Sequence, residues 1–396
     1  MTENVKYYPC DADARDFPRP SVPMLPQPGL NFLRVKPNKD INSVFLNKFQ
    51  FFKQGRYAIA EALKLMGVNE QSLVLVPSYH CRTLVEPVTL LGAKLKFYKL
   101  ESNLQINFSH IRKLLEEYSG SIKALVVTHY FGFPQQMERL IEVCHEHNIQ
   151  ILEDCAHAFY GSVNGKLLGS YGEYSIASPR KFFPIEDGGI LVCNTKRPAF
   201  DFQHLCNNKE ELKAIIKFGV RLFQNIFQRK NKLALNNNVE NVKKVIRPKE
   251  ETQFEEGLKW FNPEKRYEPG YVVSKVVLRH SSHMKIIQKR RQNYKTWLEG
   301  VAGLKGCSPL NSSLSDETVP YVFPLKIEKN VDSVFYALKM SAIPIWRWED
   351  LAVSDCTVSI NYRLSLIQLP CHQSLTADQL SWLIETTRAV FNRVNH

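Results

Sequence analysis

An α/β fold is expected for this chain: a mostly parallel sheet between two helical layers, followed by a smaller C-terminal α+β domain. Three observations carry that expectation. Short apolar runs (SLVLV, IKALVV, IQIL) alternate with stretches of helical period, and buried strands alternating with amphipathic helices make parallel sheets. The chain has 396 residues, more than one compact core usually serves, so two subdomains are expected. Beyond residue 265 the alternation gives way to a long helix, a lone strand and further helices.

In chain order, residues 1–45 are rich in proline and polar residues and read as an arm with little regular structure. GRYAIAEALKLMGV opens a helix at Gly55, with Ile59, Leu63 and Leu65 among alanines. SLVLVPSYH is a short buried strand that stops at Pro77. LVEPVTLLGAKLKFYKL gives a helical turn and a second strand. HIRKLLEEYSG is a charged amphipathic helix ending at Gly120, and IKALVVTHYFG is a strand. QQMERLIEVCHEHN is a helix with Met137, Leu140, Ile141 and Cys144 on one face, and IQILED is the next strand. These elements place a large domain over residues 46–265, with a polar, Asn-rich insert at about 230–256.

Residues 209–230 form a basic amphipathic helix. Leu212, Ile215, Ile216, Phe223, Ile226 and Phe227 share one face, and Lys213, Lys217 and Arg221 the other. Such a helix suits an anionic lipid surface; packing on its own domain or on a partner subunit is the favoured expectation. In the small domain, 266–396, SKVVLRHSSHMKIIQKRRQNYKTWLEGV reads as one long helix. VPYVFPLKI is a strand, SVFYALKMSAI a helix, and the last helix is capped near Thr376.

Composition narrows the function. Apolar residues make up 44% of the chain, enough for a buried core, so disorder is excluded. No apolar run is long enough to span a bilayer, and the first residues lack a basic-then-apolar leader. A soluble, cytoplasmic protein is expected. Nine scattered cysteines without C-x-x-C spacing point to reduced core thiols, with no zinc, disulfide framework or other metal site. The net charge of +13 favours anionic ligands, a phosphate cofactor or a nucleotide sugar. Nucleic acid is not expected. The basic residues are spread, and zinc-finger, aromatic RNP and Gly-rich RNA-binding patterns are missing from the sequence.

The most informative stretch is ILEDCAHAFYG followed by SPRKFFPIEDGGIL. An apolar strand ends in Glu153-Asp154, Lys181 follows, and a Gly188-Gly189 pair opens another strand. A carboxylate at a strand end with a downstream lysine is what a pyridoxal-phosphate site needs. The lysine amine forms a Schiff base, and the carboxylate keeps a proton on the pyridine nitrogen so that the ring can accept electrons. Ligands in such sheets collect at the carboxyl ends of the strands, where Asp154 and the Pro77–His80 turn both fall. Consecutive strand residues point opposite ways, so only one of Glu153 and Asp154 can face a ligand.

With these residues in place, the chain resembles the DegT/DnrJ/EryC1/StrS aminotransferases, the sugar branch of the fold-type-I pyridoxal-phosphate enzymes. The likeness runs from about Gln54 to the C-terminus. Its carriers are GRYAIAEAL, LVPSYHC, THYFGFPQQM, ILEDCAHAFYG, GKLLGSYGEYSIASPRKFFPIEDGGIL, KRRQNY, YVFPLKI and LPCHQSLT. The resemblance implies that Lys181 is the catalytic Schiff-base lysine and shuttles protons, that Asp154 holds the pyridine nitrogen, and that His157 touches the cofactor near its phenolic oxygen. Gly55, Arg56 and Tyr57 match the family's phosphate-binding turn at a helix start, where backbone N–H groups and the dipole suit a dianion. In three places the chain departs from the family pattern. Ile176 stands where a phosphate-binding serine is usual, and of the nearby Ser178 and Ser175 the first is favoured. Cys81 stands where an aromatic residue usually stacks on the ring, leaving His80 or Tyr79 for that role. KRYEPGYVVS has no clear equivalent of the family's inter-subunit asparagine segment.

The activity implied is transfer of an amino group from glutamate or glutamine to a nucleotide-linked keto sugar, by a homodimer with sites at the subunit interface. The departures at Ile176 and Cys81 leave open an inactive or regulatory binding protein on the same fold. The dehydrating branch of the family carries histidine in place of the lysine, so Lys181 argues against it. Trp346, Arg347, Trp348 and His372 are candidates for substrate contact by their position in the second domain.

Overall fold

The computed structural model describes residues 5–9, 17–34, 36, 43–47, 49–195, 207–227 and 254–395. Most of the expected polar insert, and parts of the expected arm, lie outside these residues.

The large unit is a seven-stranded sheet built from β1 (Gln50–Phe52), β2 (Leu73–Pro77), β3 (Lys94–Tyr98), β4 (Ile122–Thr128), β5 (Gln150–Cys155), β8 (Tyr174–Ala177) and β9 (Gly189–Cys193). Its spatial order is β1-β9-β8-β5-β4-β2-β3. The five strands from β8 to β3 are mutually parallel; β9 runs antiparallel to β8 and to β1. A small hairpin, β6 (Ser162–Val163) and β7 (Lys166–Leu167), lies in the β5–β8 connection.

Four helices, α1 (Gly55–Leu65), α2 (Arg82–Leu90), α3 (Phe108–Glu117) and α4 (Met137–Glu146), cover the two faces. The period-two alternation of the strands divides the core accordingly. Val74, Val76, Val126 and Leu152 pack with Ala58, Leu63 and Val85 of α1 and α2. Leu75, Leu125, Val127 and Ile151 pack with Ile111, Leu115, Leu140 and Cys144 of α3 and α4. Strands buried on both faces read as near-continuous apolar runs, which is why residues 73–76 and 124–127 include no polar side chain.

The chain passes from β2 to β3 on one side, then crosses back to β4 on the other. That reversal opens a crevice at the carboxyl ends of β2 and β4, the usual ligand position in an open α/β sheet.

The C-terminal unit is a three-stranded antiparallel sheet, β10 (Cys307–Pro309), β11 (Val322–Ile327) and β12 (Leu366–Pro370). Four helices accompany it: α7 (His283–Val301), α8 (Val331–Met340), α9 (Thr357–Ser365) and α10 (Ala377–Val394), whereas α6 (Val272–Arg279) packs Val277 and Leu278 into the core of the large unit. Trp297 stacks on Phe323 at 5.4 Å inside a core with Leu325, Leu338, Leu383 and Phe391. Thr376 caps α10 through a reciprocal capping box with Gln379.

One long helix is expected where α6 and α7 stand, and the chain breaks between them. Ser281 and Ser282 cause the break. The Ser281 hydroxyl donates back to the Val277 carbonyl at 2.7 Å, and the Ser282 N–H leaves the helix for the Phe32 carbonyl at 2.7 Å. Short hydroxyl side chains compete with the helical ladder in this way.

The basic helix forms as α5 (Asn208–Phe227), and of the two favoured expectations, its own domain or a partner subunit, its apolar stripe does not meet the first. Ala214, Phe218 and Arg221 face inward, while Leu212, Ile216, Phe223 and Phe227 are exposed.

Candidate active site

The crevice is a cavity of about 220 Å³ whose walls come from the ends of β2, β4, β5 and β8, the start of α1, and Trp348 of the C-terminal unit. Lys181 closes the 3₁₀ turn Pro179–Lys181 that follows β8. Its N–H donates to the Ser178 carbonyl at 3.1 Å. The amine lies 5.5 Å from the centre of the Tyr321 ring. Burial lowers its pKa from 10.5 to about 8, against the opposing pull of Cys81 and Asp154. A desolvated amine of this kind still carries its proton for the most part near pH 7, but its neutral, nucleophilic fraction is far larger than that of an exposed lysine.

Asp154 ends β5 and faces the cavity, while Glu153 faces the other way. Glu153 accepts N–H bonds from Gly169 at 2.9 Å and Gly172 at 2.7 Å, another from Tyr171, and one from His129 Nε2 at 3.1 Å. That carboxylate is fully used in holding the 169–172 turn. His129, Glu153 and Cys155 cluster closely enough to suggest a cation, yet these hydrogen bonds already satisfy the acid.

Asp154 Oδ1 accepts the Ala156 N–H at 2.8 Å, and Oδ2 accepts His80 Nε2 at 2.8 Å. The other ring nitrogen, Nδ1, donates to the Cys81 carbonyl at 2.9 Å. A ring that donates from both nitrogens is an imidazolium. Burial alone would lower the His80 pKa; Cys81 and Asp154 outweigh it and raise it to about 10. Burial likewise opposes ionisation of Asp154, but His80 and the Ala156 N–H hold its pKa below the ordinary carboxylate value. The cavity acid thus stays charged at neutral pH.

His157 also lines the cavity. Its ring stacks between Phe131 at 5.5 Å and Tyr321 at 4.7 Å, and Nδ1 accepts the Phe131 N–H at 3.4 Å. Burial, with Lys181 and His80 nearby, pushes its pKa well below the usual value, so the ring is neutral.

Gly55, Arg56, Ser178 and Cys81 all reach the cavity wall. The Arg56 guanidinium donates to the Trp260 carbonyl, and Cys81 Sγ lies 2.8 Å from Thr83 Oγ1. Tyr57 does not contribute its side chain. Its ring packs edge-on against Phe261 at 5.0 Å, and its N–H is taken by the Gln54 carbonyl. Ser175 is buried in β8 away from the cavity, whereas Ile176 and Ser178 line it. Tyr79 is buried against Trp348, Tyr130 and Tyr362 and does not reach the wall. The Gly188-Gly189 pair has a steric role. A Cβ on Gly189 would overlap the Gln54 carbonyl group, so only glycine lets β9 lie against the start of α1.

Of the substrate candidates, Trp348 alone lines the cavity. Its ring lies 5.4 Å from both His80 and His157. Arg347 stacks on Phe335 and pairs with Glu349 at 2.6 Å. His372 bonds the Pro23 carbonyl at 2.8 Å and Ser374 at 2.9 Å. Trp346 bridges to Gln368 at the sheet edge.

Two groups escaped sequence reasoning. Thr128 Oγ1, at the end of β4, is buried in the cavity wall with no hydrogen-bond partner among the described residues. Arg290, fully buried on α7, donates to the carbonyls of Lys181 at 2.9 Å, Pro320 at 3.2 Å and Tyr321 at 2.8 Å, and to Gln373 Oε1 at 2.9 Å. Gln373 in turn donates to the Phe182 carbonyl at 2.7 Å. The lysine turn is thereby tied to the C-terminal unit. A signal existed: Arg290 sits in the helical register of the apolar Ile286, Tyr294 and Trp297.

These residues fit a pyridoxal phosphate. The cavity offers an amine, a charged acid, an orphaned hydroxyl on Thr128, and Ser178 and Arg56 beside the positive end of a helix.

Comparison with known proteins identifies what the chain is similar to. Residues 52–217 match the profile of the DegT/DnrJ/EryC1/StrS aminotransferase family. GDP-perosamine synthase of Escherichia coli O157:H7 is 27% identical over 169 residues, 42% of this chain and 46% of that protein. The dTDP-4-amino-4,6-dideoxy-D-glucose transaminase of Shigella dysenteriae is 20% identical over 86% of this chain and 84% of its own length. The chain spans less than half the length of the first curated relatives it matches. Among solved structures, Helicobacter pylori PseC, an aminotransferase involved in pseudoaminic acid biosynthesis, has the same fold. Its TM-score is 0.61 at 14% identity, over 91% of this chain and 93% of that one. The family uses pyridoxal 5'-phosphate, and solved relatives include its aldehyde and amine forms. The cavity lysine and the strand-end acid both lie within residues 52–217, the part of the chain that matches the DegT/DnrJ/EryC1/StrS aminotransferase profile.

Proposed function

We propose that this protein is a pyridoxal-phosphate-dependent aminotransferase that moves an amino group from glutamate or glutamine to a nucleotide-linked keto sugar. The observation that carries the reading is the shared cavity of Lys181, its amine lowered to about 8, and the ionised Asp154. The bound cofactor supplies an aldehyde for the migrating amine and a ring that accepts electrons when cationic.

Each residue then has a task. Asp154, kept charged by His80, holds a proton at the ring nitrogen. Lys181 anchors the aldehyde carbon and, once displaced, takes and returns a proton at the substrate carbon. Its depressed pKa suits both directions of transfer near neutral pH. Gly55, Arg56 and Ser178 supply donors for the phosphate, and the Thr128 hydroxyl stands beside Asp154 in the sheet register. The neutral His157 presents a ring nitrogen beside the cofactor, and Trp348 restricts water at the cavity mouth. The departures at Ile176 and Cys81 remove none of these groups, so nothing in the cavity favours an inactive binding protein.

A homodimer acting in the cytoplasm, in amino-sugar or surface-polysaccharide synthesis, completes the proposal. The named relatives act on nucleotide sugars, and among the described residues no helix is long and apolar enough to cross a membrane. The test is a panel of nucleotide keto sugars with glutamate or glutamine, read by product mass. An amino-sugar mass with at least one acceptor is expected. A cofactor-loaded protein that yields none across the panel contradicts the substrate class.

A further inference from the structure

We propose that the outward face of α5 is a docking surface for an anionic membrane. The helix is inverted relative to an ordinary surface helix. Its inward face offers Ala214 and Phe218. Its outward stripe carries Leu212, Ile215, Ile216, Val220, Phe223 and Phe227, each between 48% and 66% exposed. Soluble helices turn such residues to the core, and a contiguous apolar face left in solvent marks an interaction surface.

Charge distribution on the helix selects the partner. Both acids of α5 are spent on the body of the protein. Glu210 pairs with Lys53 at 2.7 Å, and Glu211 accepts the N–H groups of Val272 and Val273 at 2.9 and 2.8 Å. Lys217 and Arg221 pair with Glu186. Lys209 and Lys213 are exposed, and among the described residues neither forms a salt bridge; Lys213 acts on Glu210 only through its longer-range charge. The outer surface of α5 is therefore apolar with a cationic border, the composition of helices that lie in a lipid interface.

A second copy of the chain fits less well. A 20-residue helix is about 30 Å long. A face about 10 Å wide offers about 300 Å², well under the roughly 800 Å² per partner of a stable interface. The cationic border of Lys209 and Lys213 would meet its own like charge across such a face, whereas anionic lipid attracts it. The site lies outside the catalytic cavity, so the proposal does not depend on the reaction assigned there.

The experiment is co-flotation of the full-length, cofactor-loaded protein with vesicles of phosphatidylcholine, with or without phosphatidylglycerol. The wild type is expected to float with the anionic vesicles only, less so in high salt. F223S/F227S is expected to lose binding by about tenfold or more. K209Q/K213Q is expected to weaken it with a shallower salt dependence. Both variants should retain wild-type absorbance of the lysine-bound cofactor, which separates lost docking from lost folding. Absence of wild-type flotation, flotation unchanged by F223S/F227S, or conversion of an oligomer to monomers by F223S/F227S without vesicle binding each overturns the proposal; the last assigns the face to a second copy.

Discussion

Replacing Lys181 with methionine is expected to stabilise the cofactor-free protein at neutral pH. The amine is buried, and its pKa falls from 10.5 in the unfolded chain to about 8 in the native one. That difference corresponds to about 3 kcal/mol of penalty for keeping the charged form folded. Below pH 8 both states carry the proton and the penalty is fully present. Between about 8 and 10.5 the native state has lost the proton while the unfolded chain retains it, so wild-type stability rises with pH. Methionine has similar length and carries no charge. The Lys181→Met protein should therefore exceed the wild type by up to about 3 kcal/mol at pH 7, and the gap should close by pH 10.5. The His80–Asp154 pair has the opposite slope: the raised His80 pKa adds stability that is lost as pH rises toward about 10. It is present in both proteins and largely cancels in the difference. Urea unfolding of the apoproteins at a series of pH values measures the gap. A variant no more stable at pH 7, or a gap that does not change with pH, refutes the reasoning.

Two further outcomes follow from the geometry. Arg290→Lys keeps the buried charge but cannot fork to the Lys181, Pro320 and Tyr321 carbonyls; kcat should fall by about tenfold or more with KM little changed, and a wild-type kcat rejects the positioning role. Gly189→Ala places a methyl group against the Gln54 carbonyl and should destabilise the fold by about 1–3 kcal/mol while loosening cofactor retention, measured by denaturant titration and dialysis; unchanged stability means the α1–β9 approach is not tight.

The sheet was legible because its strands are buried on both faces, and unbroken apolar runs such as SLVLV have few alternatives. The site's backbone positions were legible for a related reason. Alternation at a strand end makes Glu153 and Asp154 point apart, and the small-residue SPRK turn restricts where Lys181 can go. Side-chain partnerships were not legible. His80 reaching Asp154 depends on the turn after β2 and the end of β5, 74 positions apart in sequence, meeting at one rim. Trp348 arrives from the other unit, and only the packing of the two units brings it beside His157. The break between α6 and α7 was missed because their apolar period runs through it, while its cause is the Ser281 hydroxyl bonding back to Val277 and the Ser282 N–H bonding the distant Phe32 carbonyl. The outward stripe of α5 was visible as periodicity, but periodicity does not say which side of a helix faces the protein.

The most direct test of the account is to load the protein with pyridoxal phosphate, reduce it with borohydride, digest it and locate the added mass. The modification is expected on the peptide containing Lys181, lost in Lys181→Met and weakened in Asp154→Asn. Cofactor bound without covalent label, or label on a different lysine, contradicts the assignment of this cavity as a catalytic centre.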